Sequence, residues 1–175
     1  YLKTGISTMN AATIRVDGEN YFVNQYGCRR NGLVKIVSGG HVLVGYFGEK
    51  GTDGRMLTGR NTGIADDDGK RCTFYFNTSG SNKGAGFSGE KDGFLYYMGK
   101  LQKADSGTKY EVIEVNDKNY LVTTSGKVVK SSTVKDANGT KFKTSSAGVV
   151  TEVDGTSDDG SDEARTPVEP TYWED

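Results

Sequence analysis

The sequence predicts an all-β protein in which tandem β-hairpin repeats stack as a solenoid-like array. Three observations support this prediction: abundant glycine, Gly-type hairpin turns, and an aromatic strand pattern that returns along the chain. Glycine accounts for 25 of the 175 residues and proline for 2, whereas typical glycine usage is ~7%. Many glycines and aromatic residues, with few leucines, are typical of short strands joined by tight turns. No segment has the pattern of a helix of useful length.

The aromatic strand defines the repeat. In four copies an aromatic residue lies six positions before a glycine. These copies are Tyr21–Gly27, Phe74–Gly80, Tyr120–Gly126 and Phe142–Gly148. Two further copies are distorted. The turn that follows the aromatic strand, which we call the second turn, is shorter over 93–99 and longer over 41–54. An irregular unit of about 20–30 residues is typical of arrays in which each repeat contacts its neighbours.

Each copy is interpreted as one hairpin. Its first strand alternates apolar and polar residues, as in Val112–Val115, which is the pattern of a half-buried strand. The predicted turns are Asp17-Gly18, Gly39-Gly40, Asp68-Gly69, Asp92-Gly93, Asn116-Asp117 and Asn138-Gly139. Asn-Gly and Asp-Gly favour two-residue turns because both central positions need a positive φ. Since one hairpin alone is marginal in water, we expect stacking to bury a shared core.

Charge divides the chain near residue 150. Residues 151–175 carry nine acidic residues and one basic residue, whereas residues 1–150 carry 21 basic and 14 acidic residues. The acidic segment is rich in Gly, Ser and Asp, so it offers little apolar surface to offset the entropy cost of ordering. We therefore predict a repeat array over 1–150 and an acidic, largely flexible tail over 151–175. Docking of Tyr172-Trp173 is left open.

Two motifs recur within the repeats: Thr-Gly pairs and aromatic strands that end in Asn. They are Thr4-Gly5, Thr58-Gly59, Thr62-Gly63, Tyr21-Phe22-Val23-Asn24 and Phe74-Tyr75-Phe76-Asn77. Over residues 4–150 this pattern resembles the cell-wall-binding repeats of Gram-positive surface proteins. That family includes choline-binding and glucan-binding repeats and the similar repeats of clostridial toxin receptor-binding regions. The resemblance implies a secreted or cell-surface location and a wall polysaccharide, teichoic acid or surface glycan as the partner.

The resemblance departs from the choline-type pattern in its aromatic residues. Choline-type repeats place Trp after Thr-Gly and at the start of the aromatic strand, and these rings form a cation–π cage. Here Ile6, Arg60 and Ile64 follow the Thr-Gly pairs, and no repeat contains Trp. The sequence therefore favours glycan binding by Tyr and Phe over a quaternary ammonium cage.

Aromatic side chains are the candidate ligand-binding residues, because their faces stack on the apolar faces of sugars. The candidates are Tyr46, Tyr75, Tyr97, Phe22, Phe76 and Tyr120. Of these, Tyr46, Tyr75 and Tyr97 are expected to be the most exposed. For any one ring, burial in the hairpin core is the competing interpretation, because alternate residues of a strand point to opposite faces. The positive charge of residues 1–150 would attract anionic polymers such as teichoic acids.

We predict no catalytic residue, no cofactor and no metal site. His41 is the only histidine, and the sequence contains neither Gly-x-Ser-x-Gly nor His-Glu-x-x-His. Asp66–Asp68 lack the spacing of an EF-hand loop, so a solvated turn is the preferred interpretation. No basic stripe predicts a nucleic-acid partner, and no apolar run approaches the ~18 residues of a membrane span. Cys28 and Cys72 are compatible with one disulfide or with two thiols.

The sequence thus predicts a non-catalytic glycan-binding module that anchors a secreted or surface protein. One alternative is a structural or host-receptor-binding array of the toxin type. A second alternative is a wall-modifying enzyme, which the repeat pattern disfavours because an active site needs one asymmetric set of residues. The chain begins at Tyr1 rather than Met, which is compatible with a preceding domain.

Overall fold

The computed structural model describes residues 12–24, 26–38, 41–65 and 69–171. In these ranges the chain forms antiparallel strands and turns and no helix. The predicted all-β class with tandem hairpins is therefore confirmed. Contacts divide the chain into two units. Unit 1 comprises Tyr1–Phe87 with Pro170–Asp175, and unit 2 comprises Ser88–Glu169.

Unit 1 contains three antiparallel hairpins. Their strands are β1 (Ala12–Val16), β2 (Glu19–Val23), β3 (Leu33–Ser38), β4 (His41–Tyr46), β5 (Gly59–Ala65) and β6 (Arg71–Phe76). Each odd-numbered strand pairs with the strand that follows it. Between Asn61 and Ile64 the register of β5 against β6 shifts, because β5 carries one extra residue there. This β-bulge lies at the site described below.

Unit 2 contains a three-stranded meander, one hairpin and a four-stranded meander. The strands are β7 (Gly89–Lys91), β8 (Phe94–Tyr97), β9 (Lys100–Leu101), β10 (Tyr110–Val115), β11 (Lys118–Thr123), β12 (Thr133–Lys135), β13 (Lys141–Thr144), β14 (Val150–Val153) and β15 (Thr156–Ser157). Pairing is antiparallel throughout these three groups. The six predicted repeats correspond to β1–β2, β3–β4, β5–β6, β7–β8, β10–β11 and β12–β13.

Three predicted two-residue turns are confirmed. Asp17-Gly18, Asp92-Gly93 and Asn116-Asp117 each have two positive φ angles, between 50° and 86°. The prediction at Asn138-Gly139 is wrong in its length, because the loop spans 136–140 and only Gly139 adopts a left-handed conformation. Asp136 explains this longer loop: its Oδ1 accepts the backbone N–H groups of Asn138 and Thr140, both at 2.9 Å.

The second glycine of every repeat has the same backbone conformation. Six glycines have φ between 75° and 89°: Gly27, Gly54, Gly80, Gly99, Gly126 and Gly148. This region of φ is costly for residues with a Cβ, so the recurrence of glycine has a conformational cause. The repeat read from the sequence is therefore a repeat of backbone geometry.

A polar side chain closes the second turn in three of these copies. Asn24 Oδ1 accepts the backbone N–H groups of Tyr26 and Cys28, at 3.0 and 2.9 Å. Thr123 Oγ1 and Ser145 Oγ accept the N–H groups two and four residues later in the same way. Different side chains thus provide one function, which is to satisfy two turn donors that lie outside the strand ladder.

Consecutive hairpins are hydrogen-bonded within each unit. The segment that follows a second turn forms a β-bridge to an earlier aromatic strand. These bridges join Tyr21 to Arg55 in unit 1, and Phe94 to Lys127 and Tyr120 to Val149 in unit 2. Each repeat therefore uses its neighbour to satisfy backbone groups, as expected of a hairpin that is marginal alone.

Each unit buries its own apolar clusters. In unit 1, Phe22, Val34 and Phe47 form one cluster, and Phe74 and Phe76 are fully buried. Unit 2 has two clusters. The first contains Leu95, Ala104, Ile113, Val115, Tyr120, Val122 and Val128, and the second contains Val112, Leu121, Phe142, Val150 and Val153.

The structure differs from the predicted boundary at residue 150 and from the flexible tail. Val150 and Val153 are buried on β14, and Asp154-Gly155 forms a further two-residue turn with φ of 50° and 82°. Beyond β15, Arg165 donates its backbone N–H to the carbonyl of Val112. The average composition of 151–175 concealed a short hairpin whose two valines join a core built by other repeats.

Some predictions lie outside the described residues. These concern Thr4-Gly5, Gly39-Gly40, the acidic run 66–68, Tyr172-Trp173 and the side chain of His41. Cys28 and Cys72 are both present as thiols rather than as a disulfide. Across the described residues, no helix has the length and apolar character needed to cross a membrane.

Candidate functional site

A groove with a volume of about 350 Å³ opens in unit 1 beside the third hairpin. We call it the inter-hairpin groove. The end of β4, the loop 47–58 and the bulged part of β5 line it. Its apolar lining is Tyr46, Leu57 and Ile64, and its polar lining includes Asp53, Arg55 and Asn61. One ring, a few aliphatic groups and several polar groups thus share one surface.

The loop that lines the groove is the longer second turn of the distorted repeat. Gly48 begins it with a φ of 70°, and Thr52 then folds back on Glu49. The backbone N–H and the Oγ1 of Thr52 both donate to the Glu49 carbonyl, at 3.1 and 2.8 Å. The end of the loop lies beside the end of β4, where the Leu57 N–H donates to the Tyr46 carbonyl at 2.8 Å. These bonds fix the loop without filling the space beside it.

The bulge in β5 forms the facing wall. Asn61 Nδ2 donates to the carbonyls of Thr58 and Gly59, at 3.0 and 3.2 Å, which holds the start of β5. Gly63 has a φ of 69°, and its carbonyl accepts Arg71 Nη1 at 2.6 Å. Bulges often occur beside functional sites because they redirect side chains away from the regular ladder.

Two ion pairs balance the charge at the groove. Arg55 donates through Nε and Nη2 to Asp53 Oδ2, at 2.8 and 2.6 Å. The side-chain hydrogen bonds from Arg55 lower the pKa of the Asp53 carboxyl. Arg71 Nη1 lies 3.2 Å from Glu49 Oε1. Both pairs are solvent-exposed, and together they supply acceptors and donors with little net charge.

Tyr46 lies at the groove, but its predicted exposure is wrong. Its side chain is 5% exposed. The ring stacks on Phe76 with centroids 6.1 Å apart and planes 11° from parallel, and Phe76 stacks in turn on Phe74. Burial, followed by the charge of Glu49, raises the pKa of the Tyr46 hydroxyl. The stacked phenylalanines hold Tyr46 in the core, so it contributes only part of its surface to the groove.

The structure disperses the other predicted ring residues. Phe22, Phe76 and Tyr120 are buried in the cores, and burial raises the pKa of Tyr120. Tyr75 is half-buried and meets Phe87 edge to face, with centroids 5.9 Å apart. Tyr97 is half-buried and packs against the first cluster of unit 2. The six candidates therefore do not converge on one surface.

Sequence reasoning missed the polar residues of the groove. Asp53, Arg55 and Asn61 lie in a turn and at a bulge, where the alternation of a strand gives no information about direction. One signal did mark the place: the second turn over 41–54 is longer than in the regular repeats. A lengthened turn in a repeat protein adds surface without disturbing the shared core.

A smaller groove of about 240 Å³ lies beside the first hairpin in unit 1. It is lined by Ile14, Val16, Tyr21, Val23, Gly27 and Arg29. Like the inter-hairpin groove, it combines one tyrosine, one arginine and aliphatic side chains. In the part of the chain that the structure describes, no cluster of three or more His, Cys, Asp or Glu residues is arranged to hold a metal ion.

No family model matches the chain, and no curated protein matches it. One similar solved structure is choline binding protein F from Streptococcus pneumoniae, crystallised in the presence of a peptidoglycan analogue (tetrasaccharide-pentapeptide). It is 22% identical to this chain with a TM-score of 0.48, and the match covers 78% of this chain and 38% of that chain. CbpJ from Streptococcus pneumoniae TIGR4 is 18% identical with a TM-score of 0.24, covering 79% and 57%. Alternansucrase in complex with isomaltononaose is 18% identical with a TM-score of 0.21, covering 80% and 15%. This chain thus spans less than two thirds of each of these three proteins.

Proposed function

We propose that this chain is a non-catalytic module that binds a cell-wall or surface glycan and anchors a secreted or surface protein. The inter-hairpin groove is its sugar-binding site. The observation that supports this proposal most directly is the pairing of an apolar wall with a solvent-exposed ion pair in one groove. A pyranose ring presents the matching surface, with C–H groups on its faces and hydroxyl groups at its rim.

The apolar wall suits the face of a sugar ring. Leu57 is half-buried and offers most of this wall, whereas Tyr46 and Ile64 lie behind it, 5% and 2% exposed, and are held in the core. A wall whose side chains are already fixed loses little conformational entropy on binding. The polar groups then set orientation and specificity, as in most small-molecule sites.

The charge balance favours an uncharged sugar over a polyanion. Asp53 and Arg55 neutralise one another, as do Glu49 and Arg71. Such pairs provide both donors and acceptors for hydroxyl groups, with little attraction for phosphate or carboxylate. Tyr46 is the one aromatic residue among those that line the groove, so it does not enclose a quaternary ammonium group on several sides.

The same geometry supports a binding rather than a catalytic role. A general acid near neutral pH needs a raised pKa, whereas the hydrogen bonds from Arg55 lower the pKa of Asp53. Glu49 is likewise engaged with Arg71. Both carboxylates therefore suit the task of accepting hydrogen bonds from sugar hydroxyls.

The test is retention on purified Gram-positive cell walls, before and after removal of teichoic acid. The variant Asp53→Ala removes the acceptor and releases Arg55, and we expect it to weaken binding about tenfold or more, since a charged hydrogen bond contributes about 1.5–3 kcal/mol. Lys50→Ala is the matched control, because Lys50 is exposed in the same loop and does not line the groove. Equal retention of Asp53→Ala and the native chain would exclude this groove as the site.

The salt dependence of binding and a comparison with host glycans identify the ligand class. Binding to a neutral wall oligosaccharide should change little between low and high salt, whereas teichoic acid binding should fall steeply because salt screens charges. Retention lost on teichoic acid removal would replace the neutral-sugar proposal with a polyanion. Absence of wall binding together with binding to host glycans would favour the host-receptor array predicted as an alternative.

A further inference from the structure

The two grooves of unit 1 share a boundary at which their walls are hydrogen-bonded to each other. Tyr21 lines the smaller groove, and Arg55 lines the inter-hairpin groove. These two residues form an antiparallel β-bridge, and the Met56 N–H donates to the Asn20 carbonyl at 2.7 Å. The loop that lines the inter-hairpin groove is thus paired directly with the strand that lines the smaller groove.

The side chain of Arg29 extends from one groove to the other. Arg29 lines the smaller groove, and its Nη2 donates at 3.4 Å to the carbonyl of Thr52, which lines the inter-hairpin groove. Hydrogen bonds from Arg55 are the main cause of the lowered pKa of Asp53, and the charge of Arg29 lowers that pKa further. The backbone of Arg29 is held in the smaller groove by a β-bridge to Val23. Arg29 therefore belongs to both surfaces.

A glycine lies beneath Arg29 at this boundary. Gly54 is buried with a φ of 75°, and a Cβ at this position would lie 3.0 Å from Arg29 Cδ and 3.1 Å from Arg29 Nε. Contacts this close leave no room for a side chain between the loop and the Arg29 stem. The surface between the two grooves is therefore the exposed Arg29 side chain itself, packed on a glycine.

The size and chemistry of the grooves favour a ligand that repeats along its length. Ligand pockets usually have volumes of ~300–1,000 Å³. The inter-hairpin groove, at about 350 Å³, lies at the lower end of this range, and the smaller groove, at about 240 Å³, lies below it. Each combines a tyrosine, an arginine and aliphatic side chains. Two adjacent surfaces of similar chemistry match a linear polysaccharide, in which each ring presents the same groups as the next.

We propose that the two grooves are neighbouring subsites of one cleft that binds consecutive sugar rings of a linear polysaccharide, and that Arg29 contacts the chain between them. This ligand class rests on the proposed function and extends it from a single sugar to a chain. An arginine suits the position, because its planar group offers several donors to hydroxyl and glycosidic oxygens. Its apolar stem covers the glycine at the same time.

Fragments of cell-wall polysaccharide of different lengths test the cleft. They are prepared from purified Gram-positive walls after removal of teichoic acid and are separated by size, and their affinities are measured by isothermal titration calorimetry. Between disaccharides and hexasaccharides we expect the affinity, corrected for the number of equivalent registers, to rise about tenfold or more, because the second subsite binds within the same ligand. An affinity that does not depend on length would overturn the cleft.

Two substitutions test the smaller groove and its boundary. Tyr21→Ala removes the ring of the smaller groove, and Arg29→Ala removes the contact between the grooves. In each variant the gain in affinity on lengthening should fall to about threefold or less. Arg15→Ala is the matched control and should keep the native gain, because Arg15 is exposed and alternates on β1 with Ile14 and Val16, which line the groove. Thermal unfolding reports whether Tyr21→Ala folds, and if it does not, Arg29→Ala decides, since Arg29 is exposed.

The Asp53→Ala variant separates failure of the cleft from failure of the proposed function. It should weaken the binding of short and long fragments alike, because Asp53 lines the inter-hairpin groove. If no fragment binds, or if Asp53→Ala binds as the native chain does, the inter-hairpin groove is not a glycan site and both proposals fail. If Asp53→Ala weakens binding but the gain on lengthening is absent, or is unchanged in either folded variant, the cleft alone is overturned.

Discussion

Units 1 and 2 use the same repeat with different outcomes. In unit 2 the second turns at Gly126 and Gly148 are short, and a Thr or Ser side chain closes each of them. In unit 1 the turn before Gly54 is long, and a groove opens beside it. The larger groove thus lies beside the longest second turn, whereas the regular turn at Gly27, also in unit 1, adjoins only the smaller groove.

The type of basic residue also differs between the two units. Six of the seven arginines lie in residues 1–87. The seventh, Arg165, lies in the extended segment 164–168, the C-terminal strap, and donates to Glu111. Unit 2 otherwise carries lysines. Arginine has a planar group with several donors in a fixed arrangement, whereas lysine is a flexible point charge. Arg55 and Arg165 thus occur where geometry has to be fixed, at the groove and at the strap.

The largest expected effect comes from breaking the core beneath the groove. Phe76→Ala should destabilise unit 1 by about 3–5 kcal/mol, because Phe76 is fully buried between Phe74 and Tyr46. Hydrogen exchange of β3–β6 measures this loss. Tyr26→Ala is the control, since Tyr26 is 72% exposed and its removal should cost ~0.5 kcal/mol or less. A loss below about 1 kcal/mol for Phe76→Ala would contradict the stacked core.

Two glycine substitutions compare a first turn, which joins the two strands of a hairpin, with a second turn, which follows the aromatic strand. Gly126→Ala and Gly139→Ala both place a Cβ at a positive φ, which costs about 1–2 kcal/mol. At Gly126 the new Cβ would also lie 2.9 Å from the Gln102 carbonyl oxygen, whereas at Gly139 nothing lies within 4 Å. We expect Gly126→Ala to cost about 1–3 kcal/mol more in urea unfolding. Equal costs would mean that the second turn is not tightly packed.

A smaller effect is expected from pH at the strap. Burial raises the pKa of Glu111, but the hydrogen bonds from Arg165 and from the Asp105 N–H outweigh it, so the pKa is lowered overall. Its contribution to stability is therefore present above the unfolded pKa of about 4.3 and is lost as the pH falls through the lower folded value. Glu111→Gln should lower stability at pH 7 and reduce the loss between pH 5 and about 3.

Urea unfolding across this pH range measures the effect at Glu111. The smallest change is expected in the control Glu152→Gln, because the Lys143–Glu152 pair is exposed and such pairs contribute about 0–1 kcal/mol. The same pH dependence in native chain and Glu111→Gln would show that the strap ion pair does not link stability to pH.

Much of the fold was predictable because the repeat encodes backbone geometry directly. The positive φ of all six second glycines and of three two-residue turns follows from residue types in the sequence. The binding candidates were less predictable. Alternation along a strand does not say which face is covered, and in the structure Tyr46, Phe22, Phe76 and Tyr120 are all buried. Asp53 and Arg55 lie in a turn, where the apolar–polar alternation of a strand does not apply.

The sequence by itself determined the class of the fold, the positions of the aromatic strands and three of the two-residue turns, because the preferences of turn residues are local. Only the tertiary structure decided three other features. It placed Val150 and Val153 in a core, closed the strap on Gln102, and opened a groove beside Asp53. Each depends on residues distant in the chain meeting in space. Burial and pairing of that kind are properties of the assembled repeats, so no local pattern reports them.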